Sequence, residues 1–283
     1  MSASLLKGGA SVVVYDIDDN ATKRQVEQGA SSADSILAVC QQCEILFVCL
    51  PSEREVGEVV EVLHNHPNRV ELLLDASTLK YQISRNFERR CINNGIRYCD
   101  CPVSGLPARA ANGTLTIMFG GNTEDFESTR YLLEMMGSQI LHCGPVGTGQ
   151  MMKAVNNIIY DINISAFCEI LPLAAGAGLD IRQLETLLLA GSCRSFASEH
   201  FVPRILDRKF SDDFSMKAAY KDIDNIRAMA SQLDYATPIT EAMVSLYDQA
   251  IDNGCGNEPK SAMIKVNEKQ LDLQISRPDS NDE

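Results

Sequence analysis

Short apolar runs alternate with amphipathic segments through the first half of the chain. Val12-Val13-Val14-Tyr15 opens the series, and residues 45–49, 71–74, 97–101, 114–119 and 139–143 read as further short strands. Between them, residues 21–28, 33–40, 53–63, 80–94 and 124–136 carry helical periodicity. Near-continuous apolar strands separated by helix-length segments predict a mostly parallel sheet covered on both faces. After Gly144-Pro145-Val146-Gly147-Thr148-Gly149 the texture changes. Only helix-period patterns follow, over 156–173, 181–189, 195–206, 217–233 and 238–253. The Gly/Pro cluster marks a boundary. The expected organisation is an α/β domain over 1–145, an all-helical domain over 146–268 and a frayed polar tail over 269–283.

Composition narrows the class. With 45% hydrophobic residues among 283, the chain can bury a sizeable core. Apolar stretches such as Ile45-Leu46-Phe47-Val48-Cys49-Leu50 fall far short of the roughly 20 residues of a membrane-spanning helix, so no span is expected. A net charge of −13 repels phosphate backbones and argues against a nucleic-acid partner. It leaves room for a small anionic ligand, because a local lysine or a row of backbone N–H groups reverses the field inside a cleft. Ten cysteines are too sparse for a disulfide scaffold and lie in apolar runs, where buried thiols are expected. Cys40-x-x-Cys43 has no second pair and no histidine at ligand spacing, so no metal is expected. No targeting segment is read at the N-terminus, and a cytoplasmic location fits best.

The candidate chemistry lies at the strand ends and at the start of the long helix. Asp16 ends a strand in Val14-Tyr15-Asp16-Ile17-Asp18. A carboxylate there accepts hydrogen bonds from an adenosine ribose and repels a 2′-phosphate, although a turn or helix cap would use the same residue. Leu50-Pro51-Ser52 and Asp75-Ala76-Ser77-Thr78 each leave the sheet at the edge where ligands sit; each is also a common strand-to-helix turn. In Asp100-Cys101-Pro102-Val103-Ser104-Gly105, Ser104 offers a hydroxyl and Gly105 lets backbone N–H groups approach an anion. That suits a carboxylate-bearing substrate. Lys153 and Asn157 are i, i+4 and share one helix face. Flanked by Met151, Met152, Ala154, Val155, Ile158 and Ile159, Lys153 is poorly solvated, which turns an amine into a usable acid/base near neutrality. The alternative is a snorkelling lysine beside an interfacial amide. Lys221 beside Asp222 could fold over a cofactor, or be half of a solvated pair. The four histidines, His64, His66, His142 and His200, are scattered and suit structural roles.

In their order and spacing these motifs resemble the β-hydroxyacid dehydrogenase family, over Met1 to about Lys269. The resemblance implies a Rossmann domain joined by a long helix to an all-α domain, with an active site in the cleft. It implies NAD rather than NADP as cofactor, with Asp16 on the ribose, Leu50, Pro51, Glu55 and Thr78 along the nicotinamide side, and Lys221 closing over it. Ser104 and Gly105 match the substrate-carboxylate motif, Lys153 the catalytic lysine and Asn157 its partner. An apolar helical domain invites a homo-oligomer.

Three departures stand out. The Gly-x-Gly-x-x-Gly loop that should precede Asp16 by roughly twenty residues is absent, and the chain opens on what reads as the last turns of the helix such a loop would start. The expectation is a chain cut short of its first strand and phosphate cradle, so that strands 12–15 and 45–49 flank a gap. Ser104-Gly105-Leu106 replaces the family's Ser-Gly-Gly, and Tyr81 a common proline. The expected activity is hydride transfer between a nicotinamide cofactor and a small 3-hydroxy acid or its semialdehyde. The competing expectation is a catalytically silent relative that keeps the cleft as a binding or structural protein. Reduction of imines is a third possibility, against which the Lys153–Asn157 pair argues.

Overall fold

The computed structural model describes residues 1–105, 107–211 and 214–277. In chain order the first part comprises α1 (Ser2–Lys7), β1 (Val13–Val14), α2 (Asp19–Val26), β2 (Ser31–Ser32), α3 (Ile36–Cys40), β3 (Ile45–Val48), α4 (Glu53–Asn65), β4 (Leu72–Asp75), α5 (Tyr81–Ile92), β5 (Arg97–Asp100), β6 (Val103–Ser104), α6 (Pro107–Asn112), β7 (Leu115–Gly120), α7 (Thr123–Met136) and β8 (Gly137–Gly144). Then follow α8 (Thr148–Gly176), α9 (Ile181–Ala190), α10 (Phe196–Leu206), α11 (Tyr220–Gln232), α12 (Pro238–Ala250) and α13 (Ile264–Gln270). Contacts divide the chain into two compact units, Met1–Lys153 and Ala154–Glu283, so the division falls inside α8 rather than at the Gly/Pro cluster before it.

In the first unit β3, β4 and β5 pair in parallel, with Val48, Asp75 and Asp100 side by side. Side-chain alternation sends Leu73 to one face, with Val56, Val59, Val60 and Leu63 of α4 and Phe87 of α5. Leu72 and Leu74 go to the other, with Leu5 of α1 and Phe126, Leu132 and Leu133 of α7. Burying each such side chain contributes about 1.5–3 kcal/mol. Helix α4 forms because its apolar positions recur at helical spacing and Ser52 caps its first turn, the Ser52 hydroxyl accepting from Arg54 N at 3.2 Å.

The sheet is more mixed than the expected parallel one. Strand β7 runs antiparallel to β5 and β6, and parallel to β8. The register explains why. Asp100 faces Gly120, Val103 faces Ile117 and Ser104 faces Thr116, so β6 continues β5 along one edge of β7. Pro102 interrupts the run without breaking it, since its carbonyl accepts from Met118 N at 3.0 Å. The composite strand overshoots its neighbours and carries Ser104 past the sheet edge. Strands β1 and β2 form a separate parallel pair. Among the described residues nothing pairs β1 with β3.

The second unit is helical, around a core that includes Ile164, Phe201, Ile205, Ile223, Tyr247 and Ile264. Pro172 lies inside α8, where its missing N–H leaves the Cys168 carbonyl without its helical donor; Asn267 Nδ2 supplies one at 3.1 Å. Joined into 29 residues, α8 is long and apolar enough to cross a membrane by length and composition, which the separate apolar runs do not suggest. Half of its most apolar stretch is buried inside the protein, as in a core helix. The expected frayed tail is corrected as far as residue 277. Ile275 is 2% exposed, its N–H and the Arg208 guanidinium both donate to Glu268, and Arg277 pairs with Glu185 and Asp207. Residues 278–283 lie outside the described residues.

Candidate active site

The aligned ends of β3, β4 and β5 are joined by a buried hydrogen-bond lattice. Leu50 N donates to Ser77 Oγ at 2.9 Å, and Ser77 N to Asp75 Oδ1 at 2.9 Å. The Tyr98 hydroxyl donates to Asp75 Oδ2 at 2.7 Å. Gln150, fully buried in the first turn of α8, donates from Nε2 to Ser77 O at 2.8 Å and accepts from Leu79 N at 3.0 Å. Asp100 then takes the start of α8 itself: Oδ1 accepts from Gly147 N at 2.6 Å and Oδ2 from Gln150 N at 2.8 Å. A carboxylate at a helix N-terminus satisfies amides that have no partner within the helix.

Four expected residues hang from this lattice. Leu50 belongs to it, and half-buried Thr78 lies between its members Ser77 and Leu79. Ser104, half-buried, stands four residues beyond Asp100, and Lys153, half-buried, three beyond Gln150. Gly105 has φ +138°, and a Cβ there would meet Leu115 Cδ2 at 2.9 Å, so the turn after Ser104 requires glycine. Leu106 lies outside the described residues. Tyr81 begins α5 and is buried.

In the second unit Asn157 Nδ2 donates to Asp222 Oδ2 at 2.7 Å. That bond fixes the amide so that Oδ1 is its acceptor side, where Asn156 Nδ2 donates at 3.0 Å. Lys221 is half-buried beside Asp222 on α11. One turn after Asn157, buried Asp161 pairs with Lys260 Nζ at 2.5 Å, and the Tyr160 ring centroid lies 5.3 Å from that ammonium.

Asp16, Pro51 and Glu55 stand outside the lattice. Asp16 is exposed after β1 and accepts from Asp18 N at 2.9 Å, while Asp18 in turn caps α2. Exposed Pro51 ends the β3 edge. Glu55 accepts from Ser52 Oγ and Arg54 Nη2, both at 2.5 Å, and these bonds, the serine's foremost, hold its carboxyl down at about 2. The Ser-x-x-Glu spacing is that of a capping box. Two of the four histidines pack within the fold: His142 stacks on Phe126 at 4.7 Å and bonds Gly121 O, and His200 stacks on Phe196. All ten cysteines are free thiols.

Asp100 and Gln150 in the first unit, and in the second the bond of Asp222 to Asn157, are features that sequence reasoning did not single out. The only local signal is an acid or amide within an apolar surround, as in Tyr98-Cys99-Asp100-Cys101. A nicotinamide cofactor fits the residues present at one end. The parallel strand ends bring Leu50 and Thr78 to one edge, where dinucleotides bind. Among the described residues no glycine-rich turn stands before Asp16 to take the pyrophosphate.

Residues 1–144 match the family described as the NAD binding domain of 6-phosphogluconate dehydrogenase. Residues 147–267 match that described as NAD-binding of NADP-dependent 3-hydroxyisobutyrate dehydrogenase. A 3-hydroxyisobutyrate dehydrogenase of Pseudomonas aeruginosa is 31% identical, over 88% of this chain and 88% of that one. A 2-(hydroxymethyl)glutarate dehydrogenase of Eubacterium barkeri is 28% identical, over 98% of this chain and 93% of that one. Among solved structures, a 3-hydroxyisobutyrate dehydrogenase from Salmonella typhimurium superposes with a TM-score of 0.85 at 21% identity, covering 94% of each chain, and so shares the fold.

Proposed function

Since the chain belongs to the β-hydroxyacid dehydrogenase family and carries its NAD-binding domains, we propose that it oxidises a small 3-hydroxy acid to the semialdehyde, or runs the reverse, with Lys153 as general acid/base. The substrates named for the two relatives each bear a primary hydroxyl on the carbon β to a carboxylate, which is the class proposed here.

One observation carries the reading. The Asp100 carboxylate, four residues before Ser104, is bonded to the turn of α8 that precedes Lys153. A group that holds a carboxylate and a group that exchanges a proton are therefore fixed from one buried point. The Ser104 hydroxyl and the Gly105 N–H donate to the substrate carboxylate. In the oxidation Lys153 Nζ takes the proton of the hydroxyl as the carbon–oxygen double bond forms; in the reduction it returns it. Asn157, its amide turned by Asp222, offers Oδ1 to the ammonium that results. Leu50, Pro51, Glu55 and Thr78 would hold NAD, with Asp16 toward its ribose and Lys221 over it, and the bound cofactor would supply the hydride acceptor. Fixing distance and orientation is the larger part of such catalysis.

The exposed apolar stripe Val155, Ile159, Ile170 and Leu173 along α8 supports a homo-oligomer. The free thiols support a reducing compartment such as the cytoplasm. The second reading is a catalytically silent relative that keeps the cleft as a binding or structural protein. Titration with NADH, followed by fluorescence, separates the two when combined with turnover of a panel of 3-hydroxy acids. Binding below millimolar cofactor with turnover of at least one acid is expected. A folded protein that ignores millimolar NADH leaves the silent reading standing.

A further inference from the structure

The lattice at the strand ends does more than close backbone valences. Asp100, Gln150 and Ser77 are each at most 2% exposed, and together they tie three strand exits to one turn of helix. The fit around the Asp100 carboxylate is close. A Cβ on Gly120 would meet Oδ1 at 2.4 Å, and one on Gly149 would meet Oδ2 at 2.7 Å and the Met118 carbonyl at 2.3 Å. Gly147 enters the turn at φ +95°. Two amides, two glycines without side chains and one carboxylate make a socket in which the first turn of α8 has one seat.

We propose that Asp100 and Gln150 are positioning residues for Lys153, and that the ionised Asp100 carboxylate, by holding the Gly147 and Gln150 amides, seats the lysine amine in its working place. This inference rests on Lys153 being the proton carrier. The groups set against Asp100 from the neighbouring strands, Asp75 from β4, Tyr98, Cys99 and Cys101 from β5, and Cys143 from β8, carry no positive charge, and from α5 the stem of Arg85 packs against Gly147. Backbone amides of Gly147 and Gln150 bond the carboxylate, and burial pushes its carboxyl up to about 7. Protonation therefore comes near neutrality. The two amide bonds favour the ionised form while burial disfavours it. With the carboxylate kept from water, protonation weakens the seat itself as pH falls through that value, although the same burial lets the proton favour the folded chain over the unfolded one.

Hydrogen exchange at the Gly147 and Gln150 amides, with steady-state kinetics on the full chain, tests this in the wild type and in Asp100→Asn. In the wild type both amides are expected to be protected above neutral pH and to exchange about tenfold to hundredfold faster, beyond the intrinsic pH dependence, well below it. In Asp100→Asn they exchange fast at every pH. The variant's kcat is expected to fall roughly hundredfold with little change in the KM for NAD, the scale of an ångström's misplacement. In the reductive direction Lys153 must be protonated and cannot itself cause a loss of rate in acid. The wild-type reduction is expected to lose rate as pH falls through about 7, and Asp100→Asn to lack that limb. A merely structural role would lower the rate and leave the limb in place. If Asp100→Asn does not fold, Gln150→Met removes the bonds to Ser77 O and Leu79 N and is expected to show the same kcat loss. Wild-type kcat in the variants, an acid limb that survives Asp100→Asn, or amide protection indifferent to pH overturns the inference. A wild type without turnover refutes the dehydrogenase reading instead, and the exchange data then decide the socket by themselves.

Discussion

The buried carboxylates at the strand ends of the first unit and the Asp161–Lys260 pair of the second are held by different means, while Asp125 on α7 of the first unit pairs with Arg97. In the first, Asp75 and Asp100 are met by backbone N–H groups and a tyrosine hydroxyl, all neutral. In the second, Asp161 is met by the Lys260 ammonium and Asp222 by the Asn157 amide. Neutral dipoles orient a charge without cancelling it, so Asp100 keeps a proton equilibrium near neutrality. An ion pair cancels the charge but makes each partner depend on the other. The strand-end carboxylates thus combine rigid placement with sensitivity to pH, whereas at the Asp161–Lys260 pair an unmatched charge is what endangers the fold.

The largest effect expected from this contrast is on stability. Lys260→Met strands Asp161 in an apolar core and should cost about 3–5 kcal/mol in denaturant unfolding. The double variant Asp161→Leu with Lys260→Met should recover most of that. A single variant within about 1 kcal/mol of wild type would mean that the pair is not a charge-balancing device.

Next comes the pH dependence of stability. The folded carboxyl of Asp100 lies at about 7, above its ordinary 3.8, so between those values the folded state binds a proton that the unfolded state has released. Stability from this group is therefore lost as pH rises through that window, at up to about 1.4 kcal/mol per pH unit. Asp75, also raised by burial, acts with the same sign. Asp100→Asn should flatten the slope measured by chemical denaturation at several pH values; an unchanged slope would show that Asp100 is charged throughout.

A smaller effect should follow Asp222→Asn, which keeps shape but frees the Asn157 amide to turn. A kcat loss of roughly tenfold is expected with little change in Tm, since removing a buried charge offsets the lost hydrogen bond to a charged acceptor. A Tm that falls in step with kcat would make Asp222 purely structural. Smallest is Asp16→Ala, expected to weaken NAD several-fold and to relax the rejection of NADP. Unaltered cofactor preference would leave Asp16 as the turn residue that its bond to Asp18 N already makes it.

How much of this was legible in the sequence depends on how far apart the partners lie. Strands such as 45–49 and 97–101 could be read because their apolar runs end in turn residues a few positions away. Pro102 reads as a stop, yet the register of β5 continues through it into β6, because its carbonyl still meets Met118 N. That edge pairing comes from β7, beyond any local window. The tail misled for a similar reason: Ile275 sits in a polar stretch, and its burial depends on Glu268 and Arg208. Of the candidate site, the proposed pair Lys153 and Asn157 can be read from its i, i+4 spacing on one helix. Asp100 cannot, since its partners lie 47 and 50 residues further on, and neither can Asp222, which lies 65 residues from Asn157.

The proton role of Lys153 is tested most directly by Lys153→Ala assayed with and without added small primary amines. The expected outcome is NADH binding close to wild type, a kcat about 10²–10⁴-fold lower, and partial recovery that follows the concentration of free amine base in the oxidative direction. A Lys153→Ala variant that binds NADH and turns over at the wild-type rate would contradict it.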